Sequence, residues 1–286
     1  MTHRYGFGAT LLAFVMIFAA VPAYAQPFAV FISGDGNDVN NCLTPATACR
    51  TLAQGQTAVV AGGVIHVLPG EYVTVAITKS VQIIADQGQA SISGSTSGID
   101  SLFAGIMVNA GPSDVVLVRG ITVDRHGSTG GGGIALVAGG ALHVENCTLV
   151  NAGAQFGIHF RPSGNSELVV SNSTIANNAG GGIEVRPGAG ASATVTIDNT
   201  RILNNNRGIA VFNRGHVTVR NSTISGNTSG VRAAQANASA RIANSTISGN
   251  QTGLIAVRGG QIVSHRGNVL TDNVNDGAFT GTVNQL

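Results

Sequence analysis

The chain contains no tryptophan, and outside its first 25 residues Tyr72 is the single tyrosine. Sugar-binding surfaces commonly lean on aromatic faces, so a platform of that kind is excluded here, and arginine, histidine and asparagine must do any such work. Charge is also scarce. Charged residues make up 10% of the chain against 43% hydrophobic residues, a balance that excludes disorder. A net charge of +2 leaves no electrostatic footprint for nucleic acid. His66, His143, His216 and His265 are scattered without ligand spacing and read as structural or solvated, so neither a metal nor a cofactor is expected. Long helices are excluded by the punctuation: 40 glycines, together with many asparagines, interrupt the chain every few residues.

The one long apolar run is at the start. His3 and Arg4 precede an apolar stretch from Ala9 to Ala20, and Ala23-Tyr24-Ala25 is a small-residue cleavage site. The run falls short of the roughly 20 residues a membrane span needs, so residues 1–25 are expected to be a signal peptide. No membrane span is expected after cleavage, and the mature protein is expected to be secreted or periplasmic. Cysteine usage agrees. Cys42 and Cys49 lie in the loop-like NCLTPATAC and are expected to be bridged in an oxidising compartment. Cys147 then has no partner and reads as a small buried side chain.

The most informative stretch is a repeat. Asn221-Ser222-Thr223-Ile224-Ser225-Gly226-Asn227 recurs 23 residues on as Asn244-Ser245-Thr246-Ile247-Ser248-Gly249-Asn250. A period of this size built from short β-type runs is the mark of a solenoid. Each repeat holds three strands. The first reads Gly-Ile-x-Val, as in Gly157-Ile158-His159-Phe160 and Gly182-Ile183-Glu184-Val185. The second alternates, as in Val195-Thr196-Ile197. The third follows a single turn residue: Gly120, Asn146, Asn172, Asn199, Asn221 and Asn244. A one-residue corner requires a left-handed backbone, which glycine permits and asparagine tolerates. Three strands in so few residues cannot pair with one another. They pair with the same strand of the next turn, about 4.8 Å away, which gives three parallel sheets around an apolar column. Stacked asparagines are expected to hydrogen-bond along the axis. Ahead of the solenoid (residues 64–286), residues 26–63 are expected to supply one strand, Ala29-Val30-Phe31-Ile32, the cysteine loop, and one short helix between Arg50 and Ala61. That helix is capped by Thr51, ended by Gly62-Gly63, and serves as a lid.

These Asn-Ser-Thr-Ile rungs, over roughly residues 105–273, resemble the right-handed parallel β-helix proteins of the pectate-lyase-like superfamily. The front end, from Phe31-Ile32-Ser33 to Pro69-Gly70-Glu71-Tyr72, is similar to the start of many secreted bacterial members. The resemblance implies an all-β, three-sheet right-handed solenoid with an N-terminal capping helix. It implies no single activity, because the superfamily holds lyases, hydrolases, epimerases and adhesins. In that family the first strand and the loop after it commonly line a sugar groove. Here the outward positions of that strand place His159, Arg161, Glu184 and Arg186 in one patch, and Arg214, Arg232 and Arg258 extend a basic edge. A base, a charge-neutralising cation and an arginine suit β-elimination from a uronate, so His159, Glu184, Arg161 and Arg186 are the catalytic candidates. Arg214, Arg232, Arg258, Asp124 and His126 are the binding candidates.

The sequence also departs from the family's enzymes. The places where calcium-dependent lyases carry neighbouring acids read Glu145, Ser171, Asp198 and Arg220. Arg161-Pro162 and Arg186-Pro187 only echo the lyase arginine motif, and polygalacturonase signatures are absent. Two readings therefore stand. One is a β-helix that binds an acidic polysaccharide, uronate-containing for instance, and processes it by a lyase or epimerase step. The other is a non-catalytic structural, adhesive or surface protein, in which the same charges pair across strands and keep the sheet soluble.

Overall fold

A computed structural model describes Met1 and residues 26–93, 104–127 and 131–283. The segment read as a signal peptide lies outside the described residues apart from Met1. Three parallel sheets wind around one column in about seven right-handed turns. Sheet 1 holds the Gly-Ile strands, such as Phe156–Phe160 and Gly181–Val185. Sheet 2 holds the alternating strands, such as Ala193–Asp198. Sheet 3 holds the short strands after the corner, such as Arg201–Leu203. Strands pair in parallel with their equivalents one turn on: Ile158 with Ile183, Val170 with Ile197, Ile175 with Ile202. The inward residues of all three sheets make one continuous core, running from Val30 to Ile262.

The corner between sheets 2 and 3 is as the residues dictate. Gly120, Asn146, Asn172, Asn199, Asn221 and Asn244 all have φ between 46° and 74°. The expected outer ladder is partial: Asn199 Nδ2 donates to Asn172 Oδ1 at 2.7 Å, whereas Asn221 donates to Asp198 Oδ1. The interior is less uniformly aliphatic than expected. At the corner between sheets 3 and 1, Asn178, Asn205, Asn227 and Asn250 are buried. Each Nδ2 donates to the Oδ1 of the asparagine on the next turn, and the column ends on Asn273. Beside the other corner Cys147, Ser173, Thr200, Ser222 and Ser245 form a second buried column. Cys147 takes the serine position, as expected, and burial pushes its thiol up to about 11.

The first strand of sheet 2 is Ala29–Ile32, which pairs with Val64–Val67, so the sheet's hydrogen bonding begins in the N-terminal segment. Cys42 and Cys49 are bridged. Their backbones strap the first strand: Phe31 N–H donates to Cys42 O, and Cys49 N–H donates to Phe31 O. The helix spans Leu52–Ala58 with Thr51 as N-cap, but it stops before Gly62-Gly63 because Val59 leaves in extended conformation. It faces the end of the column, with Gly55 close against Ile32 and Ile65. Gln56 ties it to the next turn by accepting from Thr78 N–H and donating to Ala76 O.

Candidate functional site

Sheet 1 departs from simple alternation. In Phe156–Phe160 and Gly181–Val185 every residue is buried, on the outward face as well as the inward one. Two things cause this. The outward positions on the flanking turns are small, Ala135 paired with His159 and Ala210 paired with Glu184. The arginines that follow the strands then fold back over the face. His159 and Glu184 thus lie side by side on adjacent turns but are almost fully covered, at 1% and 3% side-chain exposure.

Glu184 is the hub. Its Oε2 accepts from His159 Nδ1 at 3.1 Å and from Arg161 Nε at 2.5 Å, and its Oε1 accepts from Arg186 Nε at 2.9 Å. Burial alone would raise the Glu184 carboxyl. The hydrogen bonds from His159 and Arg161, with the positive charges of Arg161 and Arg186, outweigh it and hold the group down, from an ordinary 4.5 to about 2. On its other side, His159 Nε2 lies 3.2 Å from the Phe156 backbone nitrogen and 2.8 Å from Gln155 Oε1. Four expected residues therefore meet, as two buried groups underneath and two guanidinium groups on top.

The arginines remain partly open, at 38% and 43% side-chain exposure. Each uses its Nε–H on Glu184 and makes no other hydrogen bond among the described residues. Arg186 is further fixed by stacking over Phe212, with Cζ 3.7 Å from the ring centroid. Phe212 and Gln155 escaped the sequence reading. The signal for Phe212 was present: it stands at the same offset from Gly208-Ile209 as Arg186 from Gly182-Ile183.

The remaining candidates do not join this cluster. Arg232 lies in the Glu184 column beyond Ala210, with its Nε buried and without a hydrogen-bond partner among the described residues. Arg214 and Arg258 are exposed on the turns after the sheet 1 strands, Arg258 at φ 53°. Asp124 and His126 form a separate group at the end of a sheet 3 strand. Asp124 Oδ1 accepts from Asn151 Nδ2 and from the His126 N–H, both at 2.9 Å. Burial raises the Asp124 carboxyl, and these donors outweigh it and hold it below its ordinary value. The register of sheet 2 aligns Glu145, Ser171, Asp198 and Arg220, so no two acids adjoin there. A shallow depression of about 200 Å³ borders the 161–166 loop, lined by Ala110, Pro112, Ala138, Gly139 and residues 163–165; the 186–192 loop does not wall it.

The family model described as the right handed beta helix region matches residues 80–194 and 132–285. The crystal structure of pectate lyase Pel9A superposes with a TM-score of 0.62 at 19% identity, over 84% of this chain and 69% of that one. A rhamnogalacturonan lyase gives 0.57 at 16% identity, over 84% and 74%. Pectin methylesterase PemA from Erwinia chrysanthemi gives 0.55 at 9% identity, over 90% and 92%. No curated protein matches the sequence. At such identities the likeness to the solved structures is one of fold.

Proposed function

Because the chain belongs to the right-handed β-helix family, we propose that it binds an acidic polysaccharide, laid along the outer face of sheet 1 and held by Arg161 and Arg186. One observation carries the reading. Two guanidinium groups on neighbouring turns are locked by a single buried carboxylate, their side chains 38% and 43% exposed and without a further hydrogen bond among the described residues. Two cations against one anion leave a net positive charge at the surface. A planar guanidinium with an open edge suits bidentate capture of a carboxylate. Pre-orientation by Glu184 and by Phe212 lowers the entropy lost on binding. Arg232, Arg214 and Arg258 extend the same positive edge over later turns.

In this reading His159 and Glu184 are positioning residues. Both are too covered to touch a polymer, and a carboxylate held at about 2 is a weak proton acceptor near neutral pH. The lyase or epimerase reading would need one of them to reach an α-proton. That the structures of similar fold include a pectate lyase, a rhamnogalacturonan lyase and a pectin methylesterase supports a polysaccharide as partner. The Cys42–Cys49 bridge favours an oxidising compartment such as the periplasm or the exterior.

The test is retention on immobilised polygalacturonate against a neutral glucan, at low and at raised salt. The expected result is salt-sensitive retention on the acidic polymer alone, abolished by the double substitution Arg161→Gln/Arg186→Gln. Absorbance of unsaturated uronate product, followed in the same incubations, is expected to stay flat. Absence of retention, or retention indifferent to the double substitution, would overturn the binding reading. A rise in absorbance would restore the lyase reading.

A further inference from the structure

The outer face of sheet 2 carries a second basic feature, unrelated to the arginines of sheet 1. Near the C-terminal end of the solenoid a hollow of about 200 Å³ is lined by Thr218, Arg220, Arg241, Ala243 and His265. The register explains it. Arg220 pairs with Ala243, and Ile242 pairs with Ser264, which puts His265 one turn beyond Ala243. A methyl group therefore floors a gap between two long side chains in the same column. Thr218 pairs with Arg241, which brings a second arginine to the rim on the middle turn.

Arg220 and Arg241, on successive turns, should repel one another unless acids intervene. Among the described residues one acid does: Arg220 Nη2 contacts Asp198 Oδ2 at 3.3 Å, on the far side of Arg220 from Ala243. Asp198 is itself engaged by Asn221 Nδ2 through its other oxygen. Among the described residues, Arg241 makes no side-chain hydrogen bond or ion pair. His265 Nε2 is shut off from solvent and has no hydrogen-bond partner among the described residues. The His265 ring borders the hollow beside the two arginine side chains, while its Nε2 is shielded from the opening.

We infer that this hollow is an oxyanion-binding site, in which Arg241 and Arg220 close around one compact sulfate, phosphate or carboxylate group over the Ala243 methyl, beside the His265 ring. The group could be a free anion or a substituent on a polymer; the chemistry of capture is the same. The site lies on a different sheet from Arg161 and Arg186 and does not depend on how those residues function.

The test is titration of the full mature chain with inorganic sulfate, inorganic phosphate and galacturonate in separate arms. The His265 ring resonances are followed by carbon–proton correlation and assigned with His265→Gln. The expected result is a saturable shift of the His265 signals in at least one arm, with the tightest arm naming the source. Arg241→Gln is expected to weaken that binding at least about tenfold. Ala243→Glu, which fills the hollow with opposite charge, is expected to abolish it. Arg161→Gln/Arg186→Gln should leave it unchanged, so loss of the sheet 1 site and loss of this one are told apart. No shift in any arm would overturn the inference, as would shifts that persist undiminished in Arg241→Gln.

Discussion

Asn205 donates its Nδ2 to the Oδ1 of Asn227 one turn further along the solenoid, at 3.1 Å, and donates it also to the Ile175 carbonyl one turn back. Its own Oδ1 accepts from both the backbone N–H and the side-chain amide of Asn178. One side chain thus satisfies buried polar groups on three turns. Asn205→Ala strands several of them at once and is expected to destabilise the protein by about 3 kcal/mol. Asn199 sits in the exposed outer column, where its main task is to hold φ at 46°. Asn199→Gly should be nearly neutral, and Asn199→Ala should cost about 1 kcal/mol. Urea midpoints of the three variants check the order; equal effects would mean that the buried column has no special weight.

The glycine that opens each sheet 1 strand is required by the same column. A Cβ on Gly208 would lie 2.4 Å from the Gly230 carbonyl oxygen and 2.9 Å from Ile224 Cγ2, with Asn227 Nδ2 at 3.3 Å. The backbone oxygen cannot move without breaking the register. Gly208→Ala is therefore expected to destabilise by about 1–3 kcal/mol. Gly164, on the 161–166 loop, has nothing within 4 Å of the same atom, so Gly164→Ala should fall within about 0.5 kcal/mol of wild type. Thermal unfolding of the pair separates close packing from a general intolerance of alanine.

Residue types at the corners made most of this architecture legible in advance. A single residue between two strands must turn the chain through the left-handed region, so Asn172, Asn199 and Asn221 announced both the period and the stacking. The buried column was harder to see, because it uses the same residue type. Its signal was the closing asparagine of each repeat phrase, Asn227 and Asn250, six positions beyond the exposed one. The candidate site was legible as a grouping only. Period-two alternation gives the direction of a side chain but not what folds over it, so His159 and Glu184 were expected to be open and are covered. Coverage depends on Arg161 and Arg186 turning back and on Ala135 and Ala210 being small, which are facts about neighbouring turns. The hollow beside His265 escaped for a similar reason: it is a gap over Ala243, and a gap has no residue to announce it.

The Cys42–Cys49 bridge closes a short loop against the first strand. In the chain-entropy account, a loop of this length contributes about 2.5 kcal/mol by restricting the unfolded chain. Cys42→Ser/Cys49→Ser should therefore lower stability by roughly that amount. Because Phe31 N–H donates to Cys42 O and the Cys49 N–H to Phe31 O, the loss should appear first in the opening turn. Hydrogen exchange is expected to accelerate at residues 29–32 while residues 195–197 of the same sheet keep their protection. Uniform acceleration would mean that the strap acts on the whole solenoid.

Glu184 makes the site's stability depend on acid in a direction that can be worked out. Its folded value is about 2 against an ordinary 4.5, so the folded state favours the ionised form. The stabilisation it provides is fully present above about pH 5 and is lost as pH falls from about 4.5 toward 2. Glu184→Gln cannot hold a charge at any pH. It leaves Arg161 and Arg186 facing a neutral amide, and their partial exposure keeps the penalty moderate, at about 2–3 kcal/mol near neutral pH. The stability gap between wild type and Glu184→Gln should thus be flat from pH 8 to pH 5 and narrow steadily below that. Denaturant unfolding at half-unit pH steps measures it. A gap that stayed constant down to pH 3 would mean that the carboxylate is not held ionised by its arginines. The two guanidinium groups would then lack the rigid anchor on which their proposed grip on a polymer depends.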